Sequence, residues 1–230
     1  GPRAVRLVAR AQAEPLHDRP GIDVNVEIRE ANGMGHPHYR ATVELAPHLP
    51  APPPYVCPSS ETLQPFPMTA AEAYGRWLFH GPRLQGITEI EGIAGRSLHA
   101  TLNASSPPPC LRDAPSGQWL IDPVMFDSGL QLFLLWARAH LDKTPLPSRF
   151  QRYRRFGSLS QSKVRCRLQI LDRSSDPLYY MNLAFVGPDG RLLGLLEEAE
   201  GACSRSLNRL AVVSAARRSP TGVVGESPSV

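Results

Sequence analysis

Regular alternation of apolar and polar positions predicts β-strands near both ends of the chain. Residues 22–28 alternate in this way, and residues 39–45 follow them after a glycine-containing turn, so the two segments predict an antiparallel pair. Residues 164–170 alternate too. Residues 179–186 and 191–196 flank Gly187-Pro188-Asp189-Gly190, a plain hairpin turn. These patterns predict antiparallel sheets, and the first pair needs further structure to cover it.

A different pattern, apolar around almost the whole circumference of a helix, occupies residues 124–140. Asp122 can cap this helix and Pro123 suits its first turn. Because a helix that is apolar on nearly every side must be buried, we expect a sheet wrapped around it. A shorter helix is predicted over residues 69–77 with Thr69 as its N-cap. The apolar positions of the long helix are Val124, Phe126, Leu130, Phe133, Leu134, Trp136, Ala137 and Leu141.

The order of these elements predicts an α+β chain with an antiparallel sheet curled around a central helix, the hot-dog fold. Strands are also expected on both sides of Gly92 and Gly95, and a last strand within residues 202–210. We divide the chain into strands over 1–46, a proline-rich linker over 47–68, a domain over 69–212 and a flexible tail over 213–230. The opening Gly1-Pro2 is interpreted as the scar of a cut tag, so the natural N-terminus is expected upstream.

Composition narrows the class of protein. The chain is 42% hydrophobic with a net charge of +4, and it has no long Lys/Arg run, so we expect no nucleic-acid partner. No apolar stretch reaches the ~18 residues of a membrane helix, and no signal peptide is visible, so a cytoplasmic protein without a membrane partner is expected. The four cysteines, Cys57, Cys110, Cys166 and Cys203, lack metal-ligand spacing, and we expect free thiols and no metal site.

Two polar residues interrupt the apolar helix, Asp127 and Gln131. Their i, i+4 spacing puts them on one face, one turn apart. An aspartate among Phe126, Leu130 and Phe133 should be desolvated, which favours the protonated form that a general acid requires. Gln131 could then hydrogen-bond a substrate oxygen or orient the carboxyl group. The spacing alone fits equally well an aspartate on an exposed edge of the helix.

Two motifs resemble those of dehydratase domains from polyketide and polyunsaturated-fatty-acid synthases. Residues 78–85, LFHGPRLQ, resemble the (Y/F/H)-G-P-x-(F/L)-Q stretch of these domains. Residues 122–131, DPVMFDSGLQ, resemble their (H/D)-P-x-x-x-D-x-x-x-(Q/H) helix. The resemblance extends from about residue 79 to residue 210, and its LFHGP variant is most like iterative and lipid-type synthases.

The resemblance implies a double hot-dog fold, here with a complete C-terminal half and a partial N-terminal half. In that family an N-terminal histidine removes the α-proton of a β-hydroxyacyl thioester, and a C-terminal aspartic acid protonates the leaving hydroxyl. The substrate arrives on the phosphopantetheine arm of an acyl carrier protein, without metal or redox cofactor. Other synthase domains and a possible homodimer are the further partners implied. The resemblance assigns Asp127 and Gln131 to catalysis, and it assigns to substrate binding His80, Gly81, Pro82, Leu84, Phe126 and Leu130.

The chain departs from the family at the general base. Among its seven histidines only His17 has the H-x-x-x-G spacing, and it lacks the later proline of that motif, so we interpret it as a loop histidine. The base is therefore expected to be absent from this chain, which should not dehydrate a substrate alone. His80 is either a substrate contact or a structural histidine. The basic cluster Arg149, Arg152, Arg154 and Arg155 is either a carrier-protein contact or a solvated loop.

Three functions fit these observations. The first is part of a dehydratase that carries the acid but not the base. The second is a non-catalytic dehydratase-like module that binds acyl chains or holds a synthase together. The third is other hot-dog chemistry, such as a thioesterase or a ring-closing domain.

Overall fold

The computed structural model describes residues 4–12, 21–33, 35–57, 61–106, 119–160 and 163–211. The chain divides into two compact units, residues 1–50 and residues 51–230, and the division falls in the proline-rich segment. Predictions for His17, Cys110, most of the loop after Ser105 and the tail over 213–230 lie outside the described residues.

The first unit is a three-stranded antiparallel sheet of β1 (Val5–Ala11), β2 (Ile22–Glu30) and β3 (Tyr39–Leu45), with β2 in the centre. The register pairs Leu7 with Ile28 and Val24 with Val43, so apolar side chains collect on one face. Leu7 is 67% exposed and Tyr39 is 70% exposed. The predicted strand pair is confirmed, with β1 added at its edge.

The second unit contains the hot-dog sheet. Helix α1 (Ala70–Arg76) begins at Thr69, whose side chain accepts from the backbone of Glu72 in a capping box. A single 3-10 turn over Pro82–Leu84 follows. The sheet order is β4-β5-β8-β9-β10-β6, with β7 also paired to β10. These elements are β4 (Ile87–Ile93), β5 (Ser97–Leu102), α2 (Pro123–Leu141), β6 (Thr144–Arg149), β7 (Arg152–Arg155), β8 (Val164–Ile170), β9 (Leu178–Val186) and β10 (Leu192–Ser204).

Helix α2 is the central helix of this sheet. Asp122 caps it, since its Oδ1 accepts from the backbone N–H groups of Val124 (2.9 Å) and Met125 (3.1 Å). The helix packs against β5, β6, β8 and β9, and its core side chains, such as Leu132 and Phe133, are fully buried. The predicted fold class, a sheet around one buried helix, is confirmed.

One face of α2 is less buried than the sequence predicted. Phe126, Asp127 and Leu130 are only half-buried, whereas the residues on the other sides of the helix from Val124 to Ala137 are buried. Phe126 and Leu130 therefore pack against the core on one side and face an open surface on the other.

Two predictions about β-structure were wrong. Residues 202–204 do not start a new strand but end the 13-residue strand β10, and a 3-10 turn over Arg205–Asn208 follows. The basic segment interpreted as a solvated loop lies instead in strands β6 and β7, and its other interpretation, a carrier-protein contact, stays a prediction. Three of its four arginines are paired with carboxylates of β10: Arg149 contacts Glu200 at 2.9 Å, and Arg154 and Arg152 contact Glu197 at 2.9 and 3.6 Å.

Candidate active site

Asp127 and Gln131 meet on α2 as their spacing predicted. The Nε2 of Gln131 donates to Asp127 Oδ2 at 2.8 Å and to the backbone oxygen of Leu84 at 2.8 Å. Gln131 is buried at 1% exposure, whereas the Asp127 side chain keeps 35%. Asp127 therefore has one carboxylate oxygen held by the protein while the group is still open to an incoming molecule.

His80 lies beside the same carboxylate. Its Nε2 is 3.6 Å from Asp127 Oδ2, its side chain is 11% exposed, and its ring stacks on Phe79 with centroids 4.4 Å apart. The His80 backbone oxygen accepts from Gln85 Nε2 at 3.1 Å, which holds the turn in place. Burial lowers the pKa of His80, and the nearby Asp127 opposes that shift in part. The imidazole is therefore neutral at neutral pH.

A pocket of about 380 Å³ opens at Asp127. Its walls are almost entirely apolar, and Phe126 forms their centre, with its ring in edge-on contact with Tyr153 at 5.2 Å and Phe150 at 6.1 Å. Among the described residues of this wall, Asp127 is the one carboxylate. The lining residues are Ile121, Pro123, Phe126, Asp127, Leu130, Phe150 and Tyr153. The arrangement suits an apolar chain that carries one polar group to Asp127.

The predicted substrate-binding residues separate into two groups. Phe126 and Leu130 line the pocket. Gly81, Pro82 and Leu84 are exposed to solvent and do not line the pocket. His80 lies beside Asp127 and does not line the pocket either. Leu84 contributes through its backbone oxygen, which anchors Gln131. Contact of these four residues with a substrate stays a prediction.

Tyr74 is a member of the site that the sequence analysis missed. It lies on α1, is 7% exposed, and its hydroxyl donates to Gln131 Oε1 at 2.8 Å. The same hydroxyl accepts from the backbone N–H of Ile87 at 3.0 Å. A buried tyrosine on a seven-residue helix has no spacing that links it to Asp127, and only the tertiary structure, in which α1 packs against β4, reveals the connection.

Within the described ranges, no group of three or more histidine, cysteine or carboxylate side chains is arranged to hold a metal ion. None of the described helices is both long and apolar enough to cross a membrane. A second depression, of about 320 Å³, lies in the three-stranded unit and includes none of the predicted site residues.

The family model described as "polyketide synthase dehydratase N-terminal domain" matches residues 56–212, which include both motifs, the pocket and the whole hot-dog sheet. The chain belongs to the polyketide synthase dehydratase family. That description names the N-terminal domain, so the assignment of residues 69–212 to the C-terminal half depends on the motifs alone.

A curated synthase subunit also contains a segment similar to this chain. The chain is 30% identical over 135 residues to a polyunsaturated fatty acid synthase subunit of Thraustochytrium sp. (strain ATCC 26185 / S-3). The matched segment is 58% of this chain but only 5% of the length of that relative. The relative is thus a far larger protein that contains a segment similar to this one.

Solved structures show the same fold at low sequence identity. The dehydratase domain of PpsC from Mycobacterium tuberculosis, in complex with C12:1-CoA, superposes with a TM-score of 0.60 at 18% identity, covering 86% of this chain and 68% of that one. The dehydratase domain of RzxB from Pseudomonas fluorescens gives 0.58 at 10% identity, covering 85% and 67%. These matches show the fold of the dehydratase domains, whereas the division into a complete and a partial hot dog stays a prediction.

Proposed function

We propose that this chain is the acid-bearing part of a β-hydroxyacyl-[acyl-carrier-protein] dehydratase, with Asp127 as the general acid. The observation that carries the proposal is the position of Asp127. It is the one carboxylate among the described residues of an apolar pocket, and Gln131 holds its Oδ2 at 2.8 Å. A group in that position can deliver a proton to a hydroxyl at the end of an apolar acyl chain.

The substrate class follows from the pocket and the family. Phe126 and Leu130 offer apolar contact to the first carbons of an acyl chain, and the PpsC domain was solved with an acyl-CoA. The acyl group is proposed to arrive on the phosphopantetheine of a carrier protein within a multidomain synthase. The elimination of water needs only two proton transfers, so neither a metal nor a redox cofactor is proposed.

The general base is proposed to come from outside this chain. In the described part of the chain His80 is the histidine that contacts Asp127, and it is not one of the residues that line the pocket. A base must reach the α-carbon of a substrate that lies in the pocket. The same observation favours the second candidate function, a non-catalytic module that binds acyl chains.

An external base distinguishes these two functions. The purified chain is incubated with a β-hydroxyacyl-pantetheine, with and without imidazole, and enoyl formation is followed by absorbance. We expect no turnover without imidazole. With imidazole we expect turnover that falls by about 10²–10⁴-fold in Asp127→Asn. Asp189→Asn, the same chemical change in an exposed hairpin turn, is the matched control.

Each other result has a defined meaning. Rapid turnover without imidazole would show that the chain carries its own base, and His80 and His17 would be mutated first. Turnover that is unchanged in Asp127→Asn would rule out Asp127 as the acid. Binding of the substrate without any imidazole-dependent turnover would identify the non-catalytic module.

A further inference from the structure

A continuous chain of hydrogen bonds runs from the backbone of β4 to the Asp127 carboxylate. The Ile87 N–H donates to the Tyr74 hydroxyl at 3.0 Å, and Tyr74 donates to Gln131 Oε1 at 2.8 Å. Gln131 Nε2 then donates to Asp127 Oδ2 at 2.8 Å. Helix α1 is thereby connected to the acid on α2 through two side chains.

The direction of this chain is set by backbone groups that cannot reverse their roles. The Ile87 N–H can only donate, so the Tyr74 oxygen accepts there and its own hydrogen is directed to Gln131 Oε1. At the other end of the amide, the Leu84 carbonyl can only accept, so it takes one Nε2 hydrogen of Gln131. The second Nε2 hydrogen is directed to Asp127.

Burial keeps the chain in this state. Tyr74 and Gln131 are 7% and 1% exposed, so little water is available to replace a partner. Burial raises the pKa of Tyr74 to about 12, so its hydroxyl keeps the hydrogen that it donates to Gln131.

We propose that Tyr74 is a positioning residue that, through Gln131, fixes the Asp127 carboxyl group so that Oδ2 accepts and Oδ1 delivers the proton. This inference rests on the proposed function for its role in dehydration. In that step the Oδ1–H bond breaks and its proton joins the β-hydroxyl oxygen, while the carbon–oxygen bond breaks and water leaves. The electrons of the α-carbon–hydrogen bond form the new double bond, and the base, here imidazole, takes the α-proton.

Removal of the Tyr74 hydroxyl tests the chain without emptying the core. In Tyr74→Phe the ring remains on α1, but the Ile87 N–H and Gln131 Oε1 lose the group that joins them. The Gln131 amide then keeps its bonds to Leu84 and Asp127. Tyr179→Phe is the matched control, because Tyr179 packs against Trp136 toward the other end of α2.

The first measurement is the exchange of the Gln131 side-chain amide hydrogens with solvent, followed by NMR in the folded chain. We expect slow exchange in the wild type and in Tyr179→Phe, and exchange about 10-fold faster in Tyr74→Phe. The exchanging Nε2 hydrogens keep their own partners in that variant, but the opening of the side chain that exposes them then breaks one hydrogen bond fewer, which corresponds to about one 10-fold step. Unchanged slow exchange in a folded Tyr74→Phe would overturn the proposal. This readout does not depend on any enzymatic activity.

The second measurement is imidazole-driven turnover. We expect kcat to fall between about 10- and 100-fold in Tyr74→Phe with KM nearly constant, because the acid is misplaced while the pocket walls are intact. In a Gln131→Leu background the Tyr74→Phe change should add almost nothing, whereas a merely structural effect would add in full. Full additivity would overturn the proposal. Absence of turnover in the wild type would instead contradict the proposed function, and the exchange measurement would still decide the role of Tyr74.

Discussion

At the scale of single residues, two histidines of the hot-dog unit are held in surroundings that oppose their protonation. Burial lowers the pKa of His80, against the attraction of Asp127. Burial, and next the positive charge of Arg167, lower the pKa of His99, against the attraction of Glu91. The Cys57 thiol lies 3.7 Å from His99 Nε2. Both imidazoles are neutral in the folded chain at neutral pH.

These shifts predict an acid-sensitive fold. Below the ordinary histidine pKa of about 6.5 the unfolded chain binds protons that the folded chain excludes, so the free energy of unfolding falls as the pH drops through that value. Urea unfolding between about pH 7.5 and 5.5 should show this decline. His80→Gln and His99→Gln should each make the decline shallower. A decline that is equally steep in both variants would contradict the assignment to these histidines.

At the scale of elements, the closeness of α2 to the sheet depends on a glycine inside the helix. A Cβ on Gly129 would lie 2.9 Å from Phe185 Cζ and 3.2 Å from Leu183 Cδ1, both on β9. Glycine normally weakens a helix, so its presence here reflects close packing and not helix propensity. Gly75 on α1 has open space instead: a Cβ placed on it would meet no described atom within 4 Å.

The two glycines form a matched pair for a prediction. Gly129→Ala should lower the free energy of unfolding by about 1–3 kcal/mol, because the added methyl group overpacks the α2–β9 contact. Gly75→Ala should raise it by about 0.5 kcal/mol, because helix propensity acts there without a clash. Urea unfolding monitored by circular dichroism measures both. Stabilisation by Gly129→Ala would show that α2 does not pack on β9 as described.

At the scale of the whole molecule, the two units differ in how much apolar surface they bury within themselves. The 51–230 unit contains the large core around α2. The 1–50 unit exposes apolar side chains of all three strands, including Leu7, Ile22 and Tyr39. A three-stranded sheet that leaves its apolar side chains in water is marginally stable by itself.

This difference predicts where the stability of the chain resides. The fragment 51–230 should unfold cooperatively in urea, with a midpoint close to that of the whole chain when followed by tryptophan fluorescence. All three tryptophans, Trp77, Trp119 and Trp136, lie in that fragment. A peptide of residues 1–50 should show no cooperative transition by circular dichroism. Loss of the transition in the fragment 51–230 would mean that the hot-dog unit needs the three-stranded sheet.

The sequence alone determined the features that depend on local periodicity. The alternation in residues 164–170 and the apolar circumference of residues 124–140 correctly predicted β8 and α2. The capping residues Thr69 and Asp122 marked the starts of both helices, because a cap acts within one turn. The i, i+4 spacing was sufficient to bring Gln131 to Asp127.

Only the tertiary structure decided which groups from distant parts of the chain meet. The arginine-rich segment of β6 and β7 was interpreted from sequence as a solvated loop. In the structure Arg149 and Arg154 pair with Glu200 and Glu197 of β10, which lie far away in the sequence. By periodicity alone Phe126 and Leu130 resembled core residues, because apolarity does not distinguish a buried face from a pocket wall, and only the family motifs assigned them to substrate binding. Tyr74 lies 57 positions from Gln131, and the two side chains meet only because the tertiary fold packs α1 on β4 beside the site. Local periodicity determines elements, whereas a site requires long-range packing that no local pattern encodes.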